Sequence, residues 1–573
     1  MLEVAAQAAA NDDQNLFSNL KVVAAHWHSN AQRPHLHYVL VLAAIEGTQV
    51  IALLQHLQPE LPLPGLPGLG KGESLSEGFH RFELENGELL LTLCIGDRKA
   101  QLNQLLFCAN TILIATSGSP WDKWQCAALA LRAEPGSKLT AIGLPAQTLQ
   151  LFANEGFVWQ QEGGAGSVQH ARFGPGWLRS GARKLTRSGP WLASQELRNK
   201  LPLQAPGQPL QCVVVGGGLA GSATAYALAR RGWQVTVLDA GPHVAAEASG
   251  LPVGLLGPAL ANAPAQRASP LVRLSLAGVA LTLQHAHRLL QNGKDWHASG
   301  LLTLKPETTA KWQAQAAWIK PVALVQAWLG HPNIEFIGNA TVVACDNACK
   351  LWRLLDARGE VLAQAPLVIL AAAANAQGLI SETLKRCPQW LGHARQFSTL
   401  QALAGQVTWG PHTSALEPYL PTFPVNGAGH LLAHIPGGPD IPGKAAKFWL
   451  FGAGYEDNNQ PLSDRTVVEA HVRQQTDQNL TRLKKILPGA ERALRAHVQT
   501  ESAQTWRNVR AVTRDRLPMV GPVLANEPGL WTVGAFGSRG LTWSVLCAEL
   551  LAAQLHGEPL PIEANLAVKL DVR

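Results

Sequence analysis

A glycine-rich turn at residue 216 constrains the fold of this 573-residue chain more than any other feature of its sequence. The apolar run QCVVV at 211–215 leads into Gly-Gly-Gly-Leu-Ala-Gly at 216–221. A helix-like stretch and a second apolar run, QVTVL, follow, and that run ends at Asp239. This order predicts a strand, a Gly-x-Gly-x-x-Gly turn, a helix and a strand with a terminal acid. Together they form a dinucleotide-binding βαβ unit.

Each part of this unit has a physical role. Gly216 permits the tight turn, Gly218 lets the backbone approach a pyrophosphate, and Gly221 lets the helix pack closely on the strand. The helix N terminus offers N–H groups and the positive end of a dipole to the phosphates. Asp239 is placed to accept hydrogen bonds from the adenosine ribose. The turn alone does not distinguish NAD from FAD.

Two later segments favour a flavin. Ala248-Ser249-Gly250 stands where flavoproteins often place a loop near the pyrophosphate and the isoalloxazine. Near the end of the sequence, GAFGSRGL at 534–541 runs directly into a helix predicted over 544–555. A second glycine-rich helix N terminus suits the other end of a large cofactor.

Several segments resemble one family of bifunctional bacterial enzymes, which completes 5-methylaminomethyl-2-thiouridine at the tRNA wobble position. The closest segments are 216–241, 247–260, RAVTRDRLPMVGP at 510–522 and 534–561, and weaker similarity extends over most of 205–565. The resemblance implies a D-amino-acid-oxidase-like flavoprotein that oxidises the carboxymethylaminomethyl group of the uridine. The residues it implies for FAD binding are Gly216, Gly218, Gly221, Asp239, Ser249, Gly250, Val342, Gly537, Ser538, Gly540 and Leu541.

The substrate of that reaction carries a carboxylate, and arginine is the best-shaped cation to bind one. Arg510 and Arg539 are the candidates, because both lie in the matching segments; a structural ion pair is the alternative role for Arg510. The chain departs from the family at Leu251 (usually Asn), at Ala372-Ala373 (usually Asn-Gly) and at Ala404 (usually Arg). A methyl group where the backbone should approach the flavin would weaken cofactor binding.

The first part of the chain alternates short apolar runs with helix-like segments, which predicts a parallel α/β sheet. Segments 62–84, 94–97 and 130–141 resemble the S-adenosylmethionine-dependent methyltransferase domain of the same family. However, residues 1–46 contain no glycine for a cofactor turn, and Leu42-Ala43-Ala44 stands where the family has its ribose-binding acid. We therefore expect this domain neither to bind the methyl donor well nor to transfer a methyl group. Asp97 is expected to be a structural capping acid.

The net charge of +7 is unevenly placed. Seven basic residues and a single acid lie between Arg172 and Lys200, a segment that also contains several glycines and prolines. It is either a solvated linker or a surface that contacts tRNA phosphates. If the first domain is inactive, it either positions tRNA or is a folded relic.

Other features of the sequence argue against a metal site, a membrane partner and a DNA partner. The eight cysteines include no C-x-x-C pair, and Cys345 and Cys349 alone are weak evidence for a metal, so no metal site is expected. No secretory signal or continuous apolar span is apparent, which favours the cytoplasm and no membrane partner. DNA is not an expected partner, and the sequence does not indicate an oligomeric state.

We therefore predict an α/β chain in three parts. A degenerate Rossmann-like, methyltransferase-type domain covers 1–165, and a basic linker covers 166–209. An FAD-dependent oxidoreductase domain with an inserted substrate subdomain covers 210–573. The alternatives are a flavin oxidase or dehydrogenase for a free amine such as glycine, sarcosine or a D-amino acid, and a non-catalytic flavoprotein or RNA-binding protein.

Overall fold

The computed structural model describes residues 1–5, 18–30, 35–42, 75–115, 120–160, 168–174, 209–260, 269–305, 308–348, 351–395, 400–437, 446–454, 456–457, 465–499, 503–524 and 529–572. The chain divides into two compact units. Unit 1 comprises Met1–Lys200 and Glu549–Lys569, and unit 2 comprises Leu201–Ala548 and Leu570–Arg573. Residues 175–208, which hold most of the predicted linker and its basic cluster, lie outside the described residues.

Unit 1 is built on an eight-stranded sheet with the strand order β3-β4-β2-β1-β5-β6-β8-β7. Its elements are β1 (Leu2–Ala5), α1 (Ser18–Ser29), β2 (Leu36–Leu42), β3 (Gly78–Leu84), β4 (Leu89–Ile95), α2 (Arg98–Gln104), β5 (Ala109–Ala115), α3 (Lys123–Ala130), β6 (Ala133–Ile142), α4 (Ala146–Asn154), β7 (Phe157–Trp159) and β8 (Val168–Phe173).

The centre of this sheet is parallel, as the β/α alternation of the sequence predicts. Strands β4, β2, β1, β5 and β6 run parallel, while β3 and β8 are antiparallel to their neighbours. Every residue of β4 is buried, which explains why six of its seven residues are apolar. Val168–Phe173, which the sequence assigns to the linker, form β8. Asp97 caps α2, since its Oδ1 accepts a hydrogen bond of 2.8 Å from the Ala100 N–H, which confirms its capping role.

Residues 549–569, which the sequence assigns to the oxidoreductase domain, are grouped with unit 1. The Arg81 guanidinium in β3 donates hydrogen bonds of 2.6 and 3.2 Å to the carbonyls of Pro559 and Leu560. The Phe79 N–H donates to Glu563 Oε1 at 2.9 Å. Strand β3, at the edge of the sheet, is therefore held by residues almost five hundred positions later.

Unit 2 and the final helices contain the remaining elements. They are β9 (Gln211–Val215), α5 (Leu219–Ala229), β10 (Gln234–Leu238), β11 (Gly254–Leu256), α6 (Pro270–Leu289), β12 (Trp296–His297), β13 (Leu301–Lys305), β14 (Thr308–Gln313), β15 (Ala317–Ile319), α7 (Pro321–Leu329), β16 (Ile334–Ile337), β17 (Ala344–Ala348), β18 (Leu351–Leu355), β19 (Val361–Ala365), β20 (Leu367–Leu370), α8 (Ala376–Arg386), β21 (Gln401–Pro411), β22 (Val425–Asn426), β23 (His430–Pro436), β24 (Lys447–Gly452), β25 (Glu456–Asp457), α9 (Arg465–Lys484), α10 (Pro488–Val498), β26 (Gln504–Val512), β27 (Met519–Pro522), β28 (Leu530–Gly534), α11 (Gly540–His556) and α12 (Ala564–Ala567).

Two large sheets organise unit 2. The first has the order β16-β10-β9-β20-β28-β27, and all its strands are parallel except β27. The second is mixed, with the order β14-β13-β22-β23-β24-β21-β25 and β26 paired to β21. Two three-stranded sheets, β11-β15-β12 and β17-β18-β19, complete the unit. A parallel sheet with the glycine turn beside a separate mixed sheet confirms the predicted α/β class with two subdomains.

Within the described residues, no helix is long and apolar enough to cross a membrane. Seven cysteines lie in this part of the chain, and all of them are free thiols. Cys349, one of the pair weighed as a metal ligand, lies outside it.

Candidate functional site

A cavity of about 1470 Å³ lies at the carboxyl ends of the parallel sheet of unit 2. Val215, Leu238, Ala371 and Gly534, at or next to the ends of four of its strands, line the cavity. Open α/β sheets bind their ligands at this edge. The volume exceeds the roughly 300–1,000 Å³ of ordinary ligand pockets, as a dinucleotide requires.

The three glycines of the turn are needed for three different reasons. Gly216 has a φ of +115°, and a Cβ there would lie 2.6 Å from the Ala371 carbonyl oxygen. A Cβ on Gly221 would lie 1.8 Å from the Gly216 carbonyl oxygen, so this glycine sets the approach of α5 to β9. A Cβ on Gly218 would meet only the Ser249 side chain, at 2.9 Å. Gly216 and Gly218 line the cavity, and Gly221 packs behind them.

Asp239 and Ser249 hold the backbone of this turn. The Asp239 carboxylate accepts hydrogen bonds from the Gly217 N–H at 2.5 Å and the Gly241 N–H at 2.7 Å, one on each oxygen. Ser249 Oγ accepts from the Leu219 N–H, the first residue of α5, at 2.9 Å. Asp239 and Ser249 also line the cavity, and each carboxylate oxygen keeps lone pairs for a ribose hydroxyl.

The second glycine-rich segment reaches the same cavity. Gly537, Ser538, Gly540 and Leu541 all line it, and a Cβ on Gly540 would lie 3.0 Å from Leu219 Cδ1. The structure thus brings together the N termini of α5 and α11, which are more than three hundred residues apart in the sequence. Two positive helix-dipole ends make this cavity favourable for a pyrophosphate.

The two remaining predicted cofactor residues differ in position. Val342 lines the cavity. Gly250 is not among the residues that line it within the described part of the chain. A Cβ on Gly250 would lie 2.8 Å from the Ala245 carbonyl oxygen, so this glycine permits close packing of the loop that carries Ser249.

Both predicted arginines line the cavity. Arg510 lies in β26 opposite Leu403 of β21. Its guanidinium covers Gly405, since a Cβ on Gly405 would lie 2.2 Å from the guanidinium nitrogen Nη2. Arg539 lies in the turn before α11, and its carbonyl accepts from the Trp543 N–H at 2.9 Å. The two cations therefore reach one cavity from different elements.

His430 is a cavity residue that sequence reasoning missed. It is partly buried at the start of β23, and it lines the same cavity as Arg510. Burial and the nearby Arg510 charge lower the pKa of His430 to about 4, so its imidazole is neutral at neutral pH. No motif surrounds this residue, and only the pairing of the mixed sheet brings it to the cavity.

The three departures from the family pattern are not equivalent in the structure. Leu251, Ala372 and Ala373 line the cavity, and Ala373 has a φ of +47°, a conformation that favours glycine. Ala404 is buried in β21 opposite Val509 and, among the described residues, is not one that lines the cavity. The changes at 251 and 372–373 therefore lie at the cavity wall, and the change at 404 lies in the interior of the mixed sheet.

In unit 1, the positions where a methyl donor would bind fall mostly on residues 6–17, 43–50 and 116–119, which lie outside the described residues. The described residues around them hold a buried carboxylate. Glu3 in β1 accepts a hydrogen bond of 2.8 Å from Asn19 Nδ2 and a second one from the Tyr38 hydroxyl. Burial raises the pKa of Glu3 above its usual range.

Comparisons with known proteins agree with this geometry. The family model described as FAD dependent oxidoreductase (DAO) matches residues 211–330 and 308–554. The tRNA 5-methylaminomethyl-2-thiouridine biosynthesis bifunctional protein MnmC of Albidiferax ferrireducens is 38% identical over 563 residues, covering 96% of this chain and 89% of its own length. The protein of the same name from Polaromonas naphthalenivorans is 35% identical, with 96% and 87% coverage.

Among solved structures, the glycine oxidase of Geobacillus kaustophilus is 18% identical and covers 61% of this chain and 95% of its own, with a TM-score of 0.46. The sequence relatives match nearly the whole chain, and the FAD-dependent oxidoreductase model matches more than half of it. The chain therefore belongs to the family of bifunctional tRNA 5-methylaminomethyl-2-thiouridine biosynthesis proteins, and its residues 211–554 form an FAD-dependent oxidoreductase.

Proposed function

We propose that this chain oxidises the carboxymethylaminomethyl group on the wobble uridine of tRNA, leaving aminomethyl-uridine and glyoxylate. The observation that carries the proposal is the single cavity in which two helix N termini, Asp239 and two arginines meet. The names of the relatives, which place those proteins in tRNA thiouridine biosynthesis, supply the substrate class.

The cavity residues fit FAD. We assign the pyrophosphate to the N termini of α5 and α11, where Gly218 and Gly540 leave room for phosphate oxygens. We assign the adenosine ribose to Asp239, whose carboxylate already fixes the turn through Gly217 and Gly241. FAD, when bound, supplies an acceptor for the hydride that leaves the carbon of the substrate C–N bond.

The chain itself positions the substrate. Arg510 and Arg539 both line the cavity and would pair with the substrate carboxylate, because a guanidinium can form two parallel hydrogen bonds with a carboxylate. The neutral imidazole of His430 can exchange a hydrogen bond with a group held beside Arg510. The substrate amine must be neutral to release hydride, and the imine that results is hydrolysed by water.

Anaerobic mixing with substrate tests the proposal. Purified yellow protein is mixed with tRNA that carries carboxymethylaminomethyl-uridine, and the visible flavin band is followed. Bleaching by this tRNA but not by glycine or sarcosine is the expected result. Bleaching by a free amine alone would instead favour a free-amine oxidoreductase. No bleaching by either would show that the departures at 251 and 372–373 have abolished the chemistry.

Arginine variants test the substrate anchor separately from the cofactor. Arg510→Ala and Arg539→Ala should each lower the rate of flavin reduction by about 10- to 150-fold, because a charge-assisted hydrogen bond contributes about 1.5–3 kcal/mol. Both variants should retain FAD, since the phosphate site is formed by α5 and α11. Unchanged rates in both variants would refute the assignment.

We further propose that unit 1 has lost methyl transfer. The support is the sequence: no glycine precedes residue 47, and Ala43-Ala44 follows β2 where the family has an acid. The retained unit would instead help to position tRNA, with the basic residues between 172 and 200 contacting phosphates in the cytoplasm. Titration calorimetry with S-adenosylmethionine should show no tight binding, and a saturating isotherm would overturn this view.

A further inference from the structure

Three side chains of metal-binding type converge in the mixed sheet of unit 2. His412 directly follows β21, Glu417 begins the short helical turn Glu417–Tyr419, and His434 lies in β23. Each offers a ligand atom, and these three atoms lie within 4.8 Å of one another. None of the three is among the residues that line the large cavity, so the cluster is separate from the site assigned to FAD.

Glu417 links the two imidazoles. Its carboxylate oxygens lie 3.6 Å from His412 Nδ1 and 3.9 Å from His434 Nδ1. The two rings are 4.4 Å apart between centroids and inclined by 43°. In a tetrahedral zinc site with bonds of about 2.0–2.1 Å, ligand atoms lie about 3.3 Å apart. Small side-chain rotations therefore suffice to bring these three donors to coordination distance.

A bulge in β23 places His434 in this group. The pairing of β23 with β24 shifts register between Leu432 and Ile435, and His434 lies within the shift. In a regular strand, His430 and His434 would point to the same face, because side chains alternate with a period of two. The bulge re-aims one of them. His430 consequently lines the large cavity, while His434 packs against His412.

His412 is the enclosed member of the cluster. Its side chain is only 4% exposed, and Nδ1 is the ring nitrogen that faces the Glu417 carboxylate. An ion held at Nδ1 would therefore be shielded from solvent on the His412 side.

We propose that His412, Glu417 and His434 bind one divalent transition-metal ion of the zinc type, with a water in the fourth position. Two imidazoles and one carboxylate are a donor set suited to Zn²⁺. Glu417 is 61% exposed, so the ion can enter from solvent. Because His412 and Glu417 belong to the 412–420 segment and His434 belongs to β23, the ion fastens that segment to the strand.

The test uses the FAD-loaded, full-length protein without a histidine tag, after treatment with a chelator. Co²⁺ is titrated first, because a tetrahedral Co²⁺ site absorbs at wavelengths longer than the flavin bands. Zn²⁺ is then added to displace the Co²⁺, and its affinity is measured by calorimetry. We expect one ion per chain, a tetrahedral Co²⁺ spectrum that Zn²⁺ abolishes, and a higher thermal midpoint with Zn²⁺ bound.

Variants identify the ligands. Glu417→Gln changes a largely exposed side chain and should preserve the fold while weakening Zn²⁺ binding at least about tenfold. His434→Gln should abolish the Co²⁺ spectrum. The matched controls are His297→Gln and Glu382→Gln, whose side chains do not belong to the cluster, and both should bind like the parent. Absence of stoichiometric binding in the parent, or ligand variants that bind like the controls, would show that the cluster is an ordinary His–Glu ion pair.

Discussion

Adding one methyl group at Gly221 should lower the stability of the protein, whereas adding one at Gly218 should lower its affinity for FAD, although the two positions are only three residues apart. In Gly221→Ala the new Cβ lies 1.8 Å from the Gly216 carbonyl oxygen and 3.1 Å from Val214 Cγ1. Restoring a contact of about 3.5 Å requires α5 to move about 1.7 Å away from β9. The obstacle is backbone, and Gly216 is itself confined by the Ala371 carbonyl. The cost should reach or exceed the upper end of the usual 1–3 kcal/mol of overpacking.

In Gly218→Ala the only close atoms are those of the Ser249 side chain, at 2.9 and 3.7 Å. That side chain can rotate at the expense of its hydrogen bond from the Leu219 N–H, so the apoprotein should lose about 0.5–1.5 kcal/mol. The methyl group instead occupies the space assigned to the pyrophosphate. If it costs the bound state about 1–3 kcal/mol, the Kd for FAD rises about 5- to 150-fold.

Two measurements separate these effects. Denaturant unfolding of the apoproteins gives their stability, and quenching of flavin fluorescence gives their FAD affinity. Gly489→Ala in α10 is the control, because no atom lies within 4 Å of its new Cβ; it should leave both quantities unchanged or add up to about 1 kcal/mol of stability. If apo Gly221→Ala unfolds like the parent protein, or if Gly218→Ala binds FAD normally, the assignment of the turn is wrong.

Three further predictions concern other parts of the molecule. Ala373→Gly should stabilise the apoprotein by up to about 1 kcal/mol. The positive φ of Ala373 costs about 1–2 kcal/mol, and the larger backbone entropy that glycine loses on folding offsets part of the gain from removing this strain. A lower stability in denaturant unfolding would contradict this. The pKa of His430 is about 4 in the folded protein and 6.5 in the unfolded chain, so the unfolded state binds the proton more tightly. The free energy of unfolding should therefore decrease as the pH falls from about 6.5 to 4, by at most about 3 kcal/mol. His430→Gln should flatten that part of the pH–stability curve, and a curve parallel to that of the parent would refute this. Neutralising Arg179, Arg183 and Lys184 should reduce the slope of log affinity for tRNA against log salt by about 2, and an unchanged slope would assign the segment to a solvated linker.

The glycine turn could be predicted from sequence because its chemistry is local. Residues 211–239 fold next to one another, and Gly216, Gly218, Gly221 and Asp239 lie where the motif places them. The second glycine-rich segment was also recognisable, since a turn that opens a helix is a local pattern. That Gly540 packs against Leu219 follows only from strand order, which places β28 two strands away from β9.

The features that the sequence did not reveal depend on the pairing of strands that are far apart along the chain. His430 reaches the cavity through the pairing of β23 in the mixed sheet, and His434 reaches His412 because β23 contains a bulge. That Ala404 is buried in β21 and, among the described residues, does not line the cavity depends on a strand pairing across about a hundred residues. The His–Glu–His cluster has irregular spacings along the chain, so no metal motif indicates it. Such placements are set by the packing of whole sheets.

The attachment of β3 to residues 559–563 has a consequence for synthesis on the ribosome. N-terminal domains ordinarily fold while the rest of the chain is still being made. Here the Arg81 hydrogen bonds to the carbonyls of Pro559 and Leu560 form only after almost five hundred further residues have been translated. At about 5–20 residues per second, the nascent N-terminal sheet waits roughly 25–100 s for its last partners. During that interval β3 is an unprotected edge strand, and we expect the nascent chain to depend on chaperones to keep this strand from pairing with other chains.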